Sequence, residues 1–409
     1  MKNFPFFVAF RYLIAKKSRN VINIITAISM GGIAIGSLAL IVILSAFNGL
    51  EKLVESLYSS FDPDIKITAT LGKTFNEETF PEDEILNLEG IIGGTKVLEE
   101  TVVLKYNQKQ TFATIKGVEE SFLLHSGIDS MIYEGELILE KEDLNYSVIG
   151  YGIADKIGLY LDNALQPIFI YAAKNTKQVN PNLADAFRVQ PIMPAGIFAI
   201  NPDFDNKYAL VPYHFAQSLL MKNDQMSAYE ISLKPNINPE ILKAEIDKIL
   251  GPDYQVQTKY QLNEIIYKTN KTEKWVTFLI LSFVLVVATF NLIGNLAMLI
   301  IDKREDLFTL RSLGATENTV FKIFLIEGLL ISLVGGVGGI GFGLLLTWAQ
   351  QTIGIVPLQG VIVEYYPMAI ELFDIIVVFT TVIFIGFAAS YLPAKILTKR
   401  YFNTLTREV

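Results

Sequence analysis

Four apolar runs set the plan of the chain. Val21–Leu50 is uncharged for 30 residues. Trp275–Ile301, Ile323–Gln350 and Ile375–Ala394 follow only after a long block of mixed polar and apolar sequence. Each run matches the roughly 20 residues that an α-helix needs to cross a bilayer. A secretory signal has an apolar core of about 7–15 residues, so Val21–Leu50 is a retained span and not a leader. The pattern predicts an amphipathic segment at 1–20, spans at 21–50, 275–301, 320–350 and 373–397, and a soluble domain at 51–273. It also predicts a charged loop at 302–319, a short outer loop at 351–372 and a tail at 398–409. The fold class is an α-helical membrane protein with four transmembrane helices and a large extracytoplasmic α+β domain between the first and second.

Within 51–273 the periodicity alternates between strands and short helices. Asp64–Thr70 alternates like a strand, and Pro81–Leu88 opens with the proline that suits a first helical turn. Val97–Tyr106 and Thr111–Val118 form a strand pair around the turn Asn107–Lys109. Ile149–Leu161 passes from strand to short helix to turn, and Pro167–Ala172, Phe187–Ile200 and Tyr208–Pro212 are strands. Ala228–Lys234, Pro239–Leu250 and Tyr254–Thr258 give strand, helix, strand, and Tyr260–Thr272 is a helix leading into the second span. Asn175–Asp185 is polar and aperiodic, an exposed excursion. We expect two subdomains, an inner one at about 130–220 inserted in an outer one made of 51–129 and 221–273.

Charge assigns the sides. Residues 48–273 hold 20 Lys and Arg against 33 Asp and Glu, while the remainder holds 14 against 9. Short cationic loops stay in the cytoplasm, so the acidic block lies outside and both termini lie inside. An acidic soluble domain also argues against nucleic acid as a partner. Residues 1–20 interleave Phe4, Phe6, Phe7 and Phe10 with Lys2, Arg11, Lys16, Lys17 and Arg19. This suits either a helix lying on the anionic inner leaflet, with membrane lipid as partner, or a plain basic flank of the first span.

One charged stretch stands between two of the most apolar runs. Asp302, Lys303, Arg304, Glu305 and Asp306 begin it, and Phe308, Leu310, Arg311 and Leu313 continue it as a short amphipathic helix. Gly314 and Ala315 end it. From spacing alone it is either a connector or a helix shown to a cytoplasmic partner.

Inside the spans, small residues recur at helical spacing. Gly32 and Gly36 lie four apart in the first span, and Gly335, Gly339 and Gly343 stack on one face of the third. Such stripes let helices approach closely. Asn291 and Asn295, one turn apart in the second span, suit hydrogen bonds across a helix seam. Glu327 lies about one turn beyond Lys322 and is expected to snorkel to the cytoplasmic interface.

Several chemistries are excluded. The chain has no cysteine, which removes disulfides, thiolate metal sites and cysteine nucleophiles. Walker A, HExxH and GxSxG patterns are absent, and His125 and His214 stand far apart. No catalytic residues and no metal site are expected, and the chain binds no cofactor of its own.

The layout of one span, a large outer domain and three further spans resembles the MacB/FtsX-like permease superfamily. The motifs resemble, more narrowly, lipoprotein-releasing permeases of the LolC/LolE type. Arg11-Tyr12-Leu13, Ile28-Ser29-Met30-Gly31-Gly32-Ile33-Ala34-Ile35-Gly36 and Phe47-Asn48-Gly49-Leu50-Glu51-Lys52 bracket the first span. Glu273-Lys274, Ala288-Thr289-Phe290-Asn291 and Asp302-Lys303 mark the second. Arg311-Ser312-Leu313-Gly314-Ala315 is similar to the family's coupling segment, and Leu392-Pro393-Ala394 to its last span. The outer domain would then be a MacB-like periplasmic core.

That resemblance implies an inner-membrane permease without its own ATPase. Two copies of a cytoplasmic ABC ATPase, carrying ATP and Mg, would dock on Asp302 to Ala315. A second permease chain, alike or different, would meet it through the first two spans. Lipoprotein cargo would be taken from the outer leaflet and passed to a periplasmic carrier by mechanotransmission. The cargo slot would be lined by Phe47, Leu50, Leu53, Trp275 and Phe278, residues that suit a plain helix contact as well. Lys177, Asn180 and Pro181 fall where one permease type carries a carrier-recruiting hook, or else in an ordinary surface loop. MacB-like efflux, FtsX-like regulation of a cell-wall hydrolase and a non-energised scaffold are the alternatives. A neighbouring gene for a Walker A ATPase separates the energised readings from the scaffold.

Overall fold

A computed structural model describes residues 4–14, 20–142, 144–163, 166–174, 186–358 and 363–404 of the 409-residue chain. The chain forms two compact units, Met1–Leu53 with Lys268–Val409, and Val54–Tyr267. Helix α1 (Phe4–Ile14) is short, and α2 (Asn20–Ser59) runs for 40 residues, about 60 Å at 1.5 Å per residue.

In Val54–Tyr267 the elements in order are β1 (Ile65–Ala69), β2 (Phe75–Asn76), α3 (Glu82–Leu86), β3 (Ile91–Tyr106), β4 (Lys109–Val118) and α4 (Glu120–His125). Then come β5 (Ile132–Gly135), β6 (Glu140–Lys141), β7 (Leu144–Gly150), α5 (Tyr151–Ile157), β8 (Ile168–Ala173), β9 (Phe187–Phe198) and α6 (Pro202–Asp205). The unit closes with β10 (Tyr208–Pro212), α7 (Tyr213–Leu220), β11 (Gln225–Met226), β12 (Ala228–Leu233), α8 (Pro239–Leu250), β13 (Tyr254–Thr258) and α9 (Lys259–Leu262). Local chemistry fixes the corners. Asn107 adopts φ 53° in the two-residue turn between β3 and β4, a conformation asparagine tolerates. Asn238 caps α8 by accepting the Glu240 N–H, with Pro239 in the first turn.

The strand pairings close into a ring. β3 pairs with β4, β4 with β10 in parallel, β10 with β7, β7 with β9 in parallel, β9 with β8, and β8 returns to β3 at Val103–Lys105. The first part of β3 pairs instead with β12, which continues through β1 to β13. The expected inner and outer subdomains therefore do not separate. β3 and β4, assigned to the outer part, complete the ring of the inner one. Ile65, Ile231 and Val256 of the β12–β1–β13 wing share one core with Ile149, Ile170 and Ile192 of the ring.

A second core gathers Phe61, Phe122, Phe198, Phe204 and Tyr208. Here Lys116, 2% exposed, donates to Glu230 at 2.9 Å and lies over the rings of Phe61 and Phe122 at 4.5 and 4.7 Å. Burial pushes the Glu99 carboxyl up, but the Lys66 and Lys116 ammoniums outweigh it and hold it below the usual range. Where the chain enters and leaves this unit, Asp62 accepts from Asn263 at 2.7 Å and Asp64 pairs with Lys259 at 2.9 Å.

The other unit is completed by α10 (Glu264–Asp302), α11 (Arg304–Ser312), α12 (Glu317–Ile353) and α13 (Leu372–Thr404). Helices α2, α10, α12 and α13 are long and apolar enough to cross a membrane. Three seams pack them. Gly335, Gly339 and Gly343 of α12 face Met30 and Ile33, Ala34, and Leu38 and Ile41 of α2, so these two helices run parallel. A methyl group on Gly339 would strike the Ala34 carbonyl oxygen. On another face of α2, Gly32 meets Ala288 and Gly36 meets Leu285 of the antiparallel α10. α12 and α13 interlock through two reciprocal pairs, Gly328 against Ser390 and Ser332 against Gly386.

Two polar positions differ from expectation. Asn295 is buried and accepts from Thr26 Oγ1 at 3.1 Å, but Asn291, one turn earlier on α10, is exposed. Glu327 is 0% exposed, not snorkelled. It lies on the α12 face that carries the buried Phe324, Gly328 and Ile331, and this face turns into the bundle.

Two outcomes test this packing. Gly339→Leu forces α2 and α12 apart and lowers the thermal midpoint of the detergent-solubilised chain by several degrees, whereas Gly338→Leu, with open space around it, leaves it nearly unchanged. Burial raises Asp205 from 3.8 to about 6, against the backbone N–H groups of Ile200 and Asn201 that lower it. The unfolded chain ionises first, so this carboxyl costs stability increasingly as pH rises from 3.8 to about 6. Asp205→Asn keeps an acceptor for Ile200 N and removes that cost, so its midpoint exceeds the parent's at pH 8 and the gain shrinks at pH 4. An equal gain at both pH values contradicts the assignment.

Candidate coupling segment and partner-facing surfaces

Helix α11 is pinned at one residue and free on the opposite side. Leu307 is 5% exposed and packs with Leu299, Ile300, Val320, Phe324 and Ala394. Phe308 and Leu313 are 51% and 80% exposed, although the sequence pattern placed them on the apolar face with Leu310. The anchor Leu307 was missed because it sits between charges, but its i, i+3 spacing to Leu310 marks it.

The ends of α11 are built to stop. Ala315 N–H bonds to Leu310 O at 3.0 Å and Gly314 N–H to Arg311 O at 2.8 Å, the paired bonds of a Schellman turn. Gly314 supplies the required φ of 91°. Thr316 then caps α12 by accepting from Thr319 N. At the front, Lys303 pairs with Asp306 at 3.3 Å and lies 5.2 Å from the Tyr12 ring. The Arg11-Tyr12-Leu13 motif is thereby brought against the start of the charged segment. Along α1, Phe6, Phe7 and Phe10 are exposed, an aromatic face with no protein against it among the described residues.

The proposed slot residues sort less evenly. Phe47, Leu50 and Leu53 are half-buried along α2. Trp275 is exposed and stands edge-on to Phe278 at 5.7 Å, while Phe278 packs on the bundle core. Beside these residues α2 and α10 do meet, through Lys274 Nζ to Asn48 Oδ1 at 2.6 Å. Lys177, Asn180 and Pro181 lie outside the described residues.

The strands on either side of that excursion carry a surface that sequence reasoning did not find. Phe112 of β4 stands opposite Val103 of β3, Val103 opposite Tyr171 of β8, and Tyr171 opposite Val189 of β9. This row crosses four strands, and Phe169, Pro191 and Met193 extend it on the same face. Phe112 is 75% exposed. Phe112, Val103 and Tyr171 alternate with core neighbours, so the period of two was visible there, but lateral alignment depends on register, which the sequence does not carry.

Two sequence patterns match the chain, the MacB-like periplasmic core domain over residues 26–249 and the FtsX-like permease C-terminal domain over residues 278–402. The first alone covers more than half of it. The chain belongs to the MacB-like periplasmic core domain family. This family member is similar along its length to curated relatives. The lipoprotein-releasing system transmembrane protein LolC of Neisseria meningitidis serogroup B is 25% identical, with 96% of each chain covered. LolE of Haemophilus influenzae is also 25% identical, with 96% of each covered. Among solved structures, the periplasmic region of MacB from Actinobacillus actinomycetemcomitans matches 53% of this chain and 98% of its own, with 12% identity and a TM-score of 0.36. The MacB-like member is a membrane protein with a periplasmic α+β domain and, among the described residues, four apolar helices of membrane-spanning length.

The exposed row is a surface and not a support. Phe112→Ser changes the unfolding midpoint of the chain by no more than a surface substitution does, within about 0.5 kcal/mol. Ile115→Ser, on the buried face of the same strand, lowers it sharply.

Proposed function

We propose that this chain is the permease subunit of an ABC transporter of the lipoprotein-releasing type. It extracts lipoproteins from the outer leaflet of the inner membrane and hands them to a periplasmic carrier. The observation that carries this reading is similarity to LolC and LolE relatives over 96% of both chains. The geometry supports it at α11, where a short helix is anchored by Leu307 and turns Phe308, Arg304, Glu305 and Leu313 outward. A separate ATPase, holding ATP and Mg in two copies, docks on that face with both termini on the same side. This chain contributes no ATP site and binds no cofactor.

Work enters as displacement of α11 and leaves through the periplasmic domain. The helices α2 and α10 bound that domain in sequence, and each ends in a cluster of hydrogen bonds, Asp62–Asn263 and Asp64–Lys259. Lipoprotein acyl chains enter between the ends of α2 and α10 near Phe47, Leu50, Leu53, Trp275 and Phe278. A second permease chain, identical or not, completes the transporter through the first two spans. The MacB-like and FtsX-like matches also favour a second reading, mechanotransmission for efflux or for control of a cell-wall hydrolase.

Depletion decides between them. Loss of the chain leaves lipoproteins destined for the outer membrane in the inner membrane, and normal sorting rules the release reading out. Arg311→Glu abolishes co-purification of the ATPase while the chain still inserts. Gly314→Pro does the same, because proline holds φ near −65° where this position needs 91°. An ATPase that still binds both variants removes α11 as the docking site.

A further inference from the structure

At the end of the bundle opposite α11, three helices meet in a polar cluster that the reading above does not use. Asn48 is on α2, Lys274 on α10 and Asp374 in the first turn of α13. Lys274 Nζ donates to Asn48 Oδ1 at 2.6 Å and lies 3.2 Å from Asp374 Oδ2. Asn48 Nδ2 donates to the same Asp374 Oδ2 at 2.7 Å and to Ala369 O at 3.3 Å. Asn48 and Asp374 are almost wholly buried, while the Lys274 side chain keeps a fifth of its surface exposed.

Charges at such a depth are costly unless paired, and a bundle held by packing alone needs none there. Gly32 and Gly36 already join α2 to α10, and α13 is held through α12. What the cluster adds is dependence on charge, which packing lacks. Asp374 without its cation is a buried carboxylate left with the Asn48 amide donor, a costly state that favours its movement toward water. Lys274, on a flexible stem with partial access to water, can leave the pair and be resolvated. Around it the joint between α2 and the segment leading into α13 is tight, with Ala369 N–H bonded to Ser45 O at 2.8 Å and Gly49 against the Pro367 backbone.

We propose that Lys274, Asn48 and Asp374 form a charge-dependent clasp that closes this end of the bundle and opens when the Lys274–Asp374 pair separates. All three are positioning residues. The clasp goes beyond the transporter reading and does not depend on it.

The cysteine-free chain offers a direct test. The substitution Ser45→Cys, at a position 4% exposed in the parent, reports access to the joint. Labelling of its thiol by a charged, membrane-impermeant maleimide is followed in intact membranes. Leu71→Cys, at a position 88% exposed, is the freely labelled reference in every background. With the clasp intact, the Ser45→Cys chain labels at least tenfold more slowly than the Leu71→Cys chain. Added to Ser45→Cys, Asp374→Asn and Lys274→Met each raise the labelling rate severalfold, and the swap Lys274→Asp with Asp374→Lys returns it toward the starting rate. Slow labelling in both single variants overturns the proposal. So does fast labelling that the swap fails to slow, because loss of packing would do that without any role for charge.

Discussion

Close approach of helix backbones is the constraint from which the membrane unit follows. Lipid offers no hydrophobic force between helices, so contact area and backbone proximity must supply cohesion. The glycines of α12 let the Ala34 carbonyl come within van der Waals reach, which makes α2 the helix on which the others are placed. Its own glycines Gly32 and Gly36 receive α10, and α13 joins through α12. Polar groups then occupy the few points where the seams end. Thr26 with Asn295 lies towards one end of the α2–α10 seam and Asn48 with Lys274 towards the other.

The periplasmic domain follows a different rule. Its organising element is β3, long enough to serve two neighbours in succession on the same edge, β12 along its first part and β8 near its end. On one face of the sheet Lys116 pairs with Glu230, Lys66 pairs with both Glu99 and Glu230, and the rings of Phe61 and Phe122 lie against Lys116. Buried pairs of this kind add little net stability but penalise any arrangement that leaves one charge alone.

The spans were legible because uninterrupted apolar length has one physical explanation. Glycine spacing singled out the α12 face that lies against Ile33, Ala34 and Ile41 of α2, since a tight helix contact makes use of missing side chains at that period. The start of β3 was not legible, because Gly93 and Gly94 lower strand propensity in sequence. In the fold they make room for the His125 and Tyr229 side chains. Glu327 was misplaced because closeness to Lys322 says nothing about which face turns inward. On α11 a helix of nine residues is too short for its phase to be read among charges, so the anchor fell one position from where it was expected. Register, and with it the row from Phe112 to Val189, belongs to tertiary structure alone.

The way β1 and β13 leave the sheet has a mechanical meaning. They are antiparallel neighbours, and the pair Ile65–Thr258 stands at the end where both connect to long helices, α2 before β1 and α10 soon after β13. A lengthwise slip of one connection against the other loads every rung of their ladder together, as in shear. A sideways separation loads the Ile65–Thr258 rung first and peels the rest in turn. Asp62–Asn263 and Asp64–Lys259 reinforce that first rung. The rung most open to peeling is therefore the one that carries the extra polar contacts.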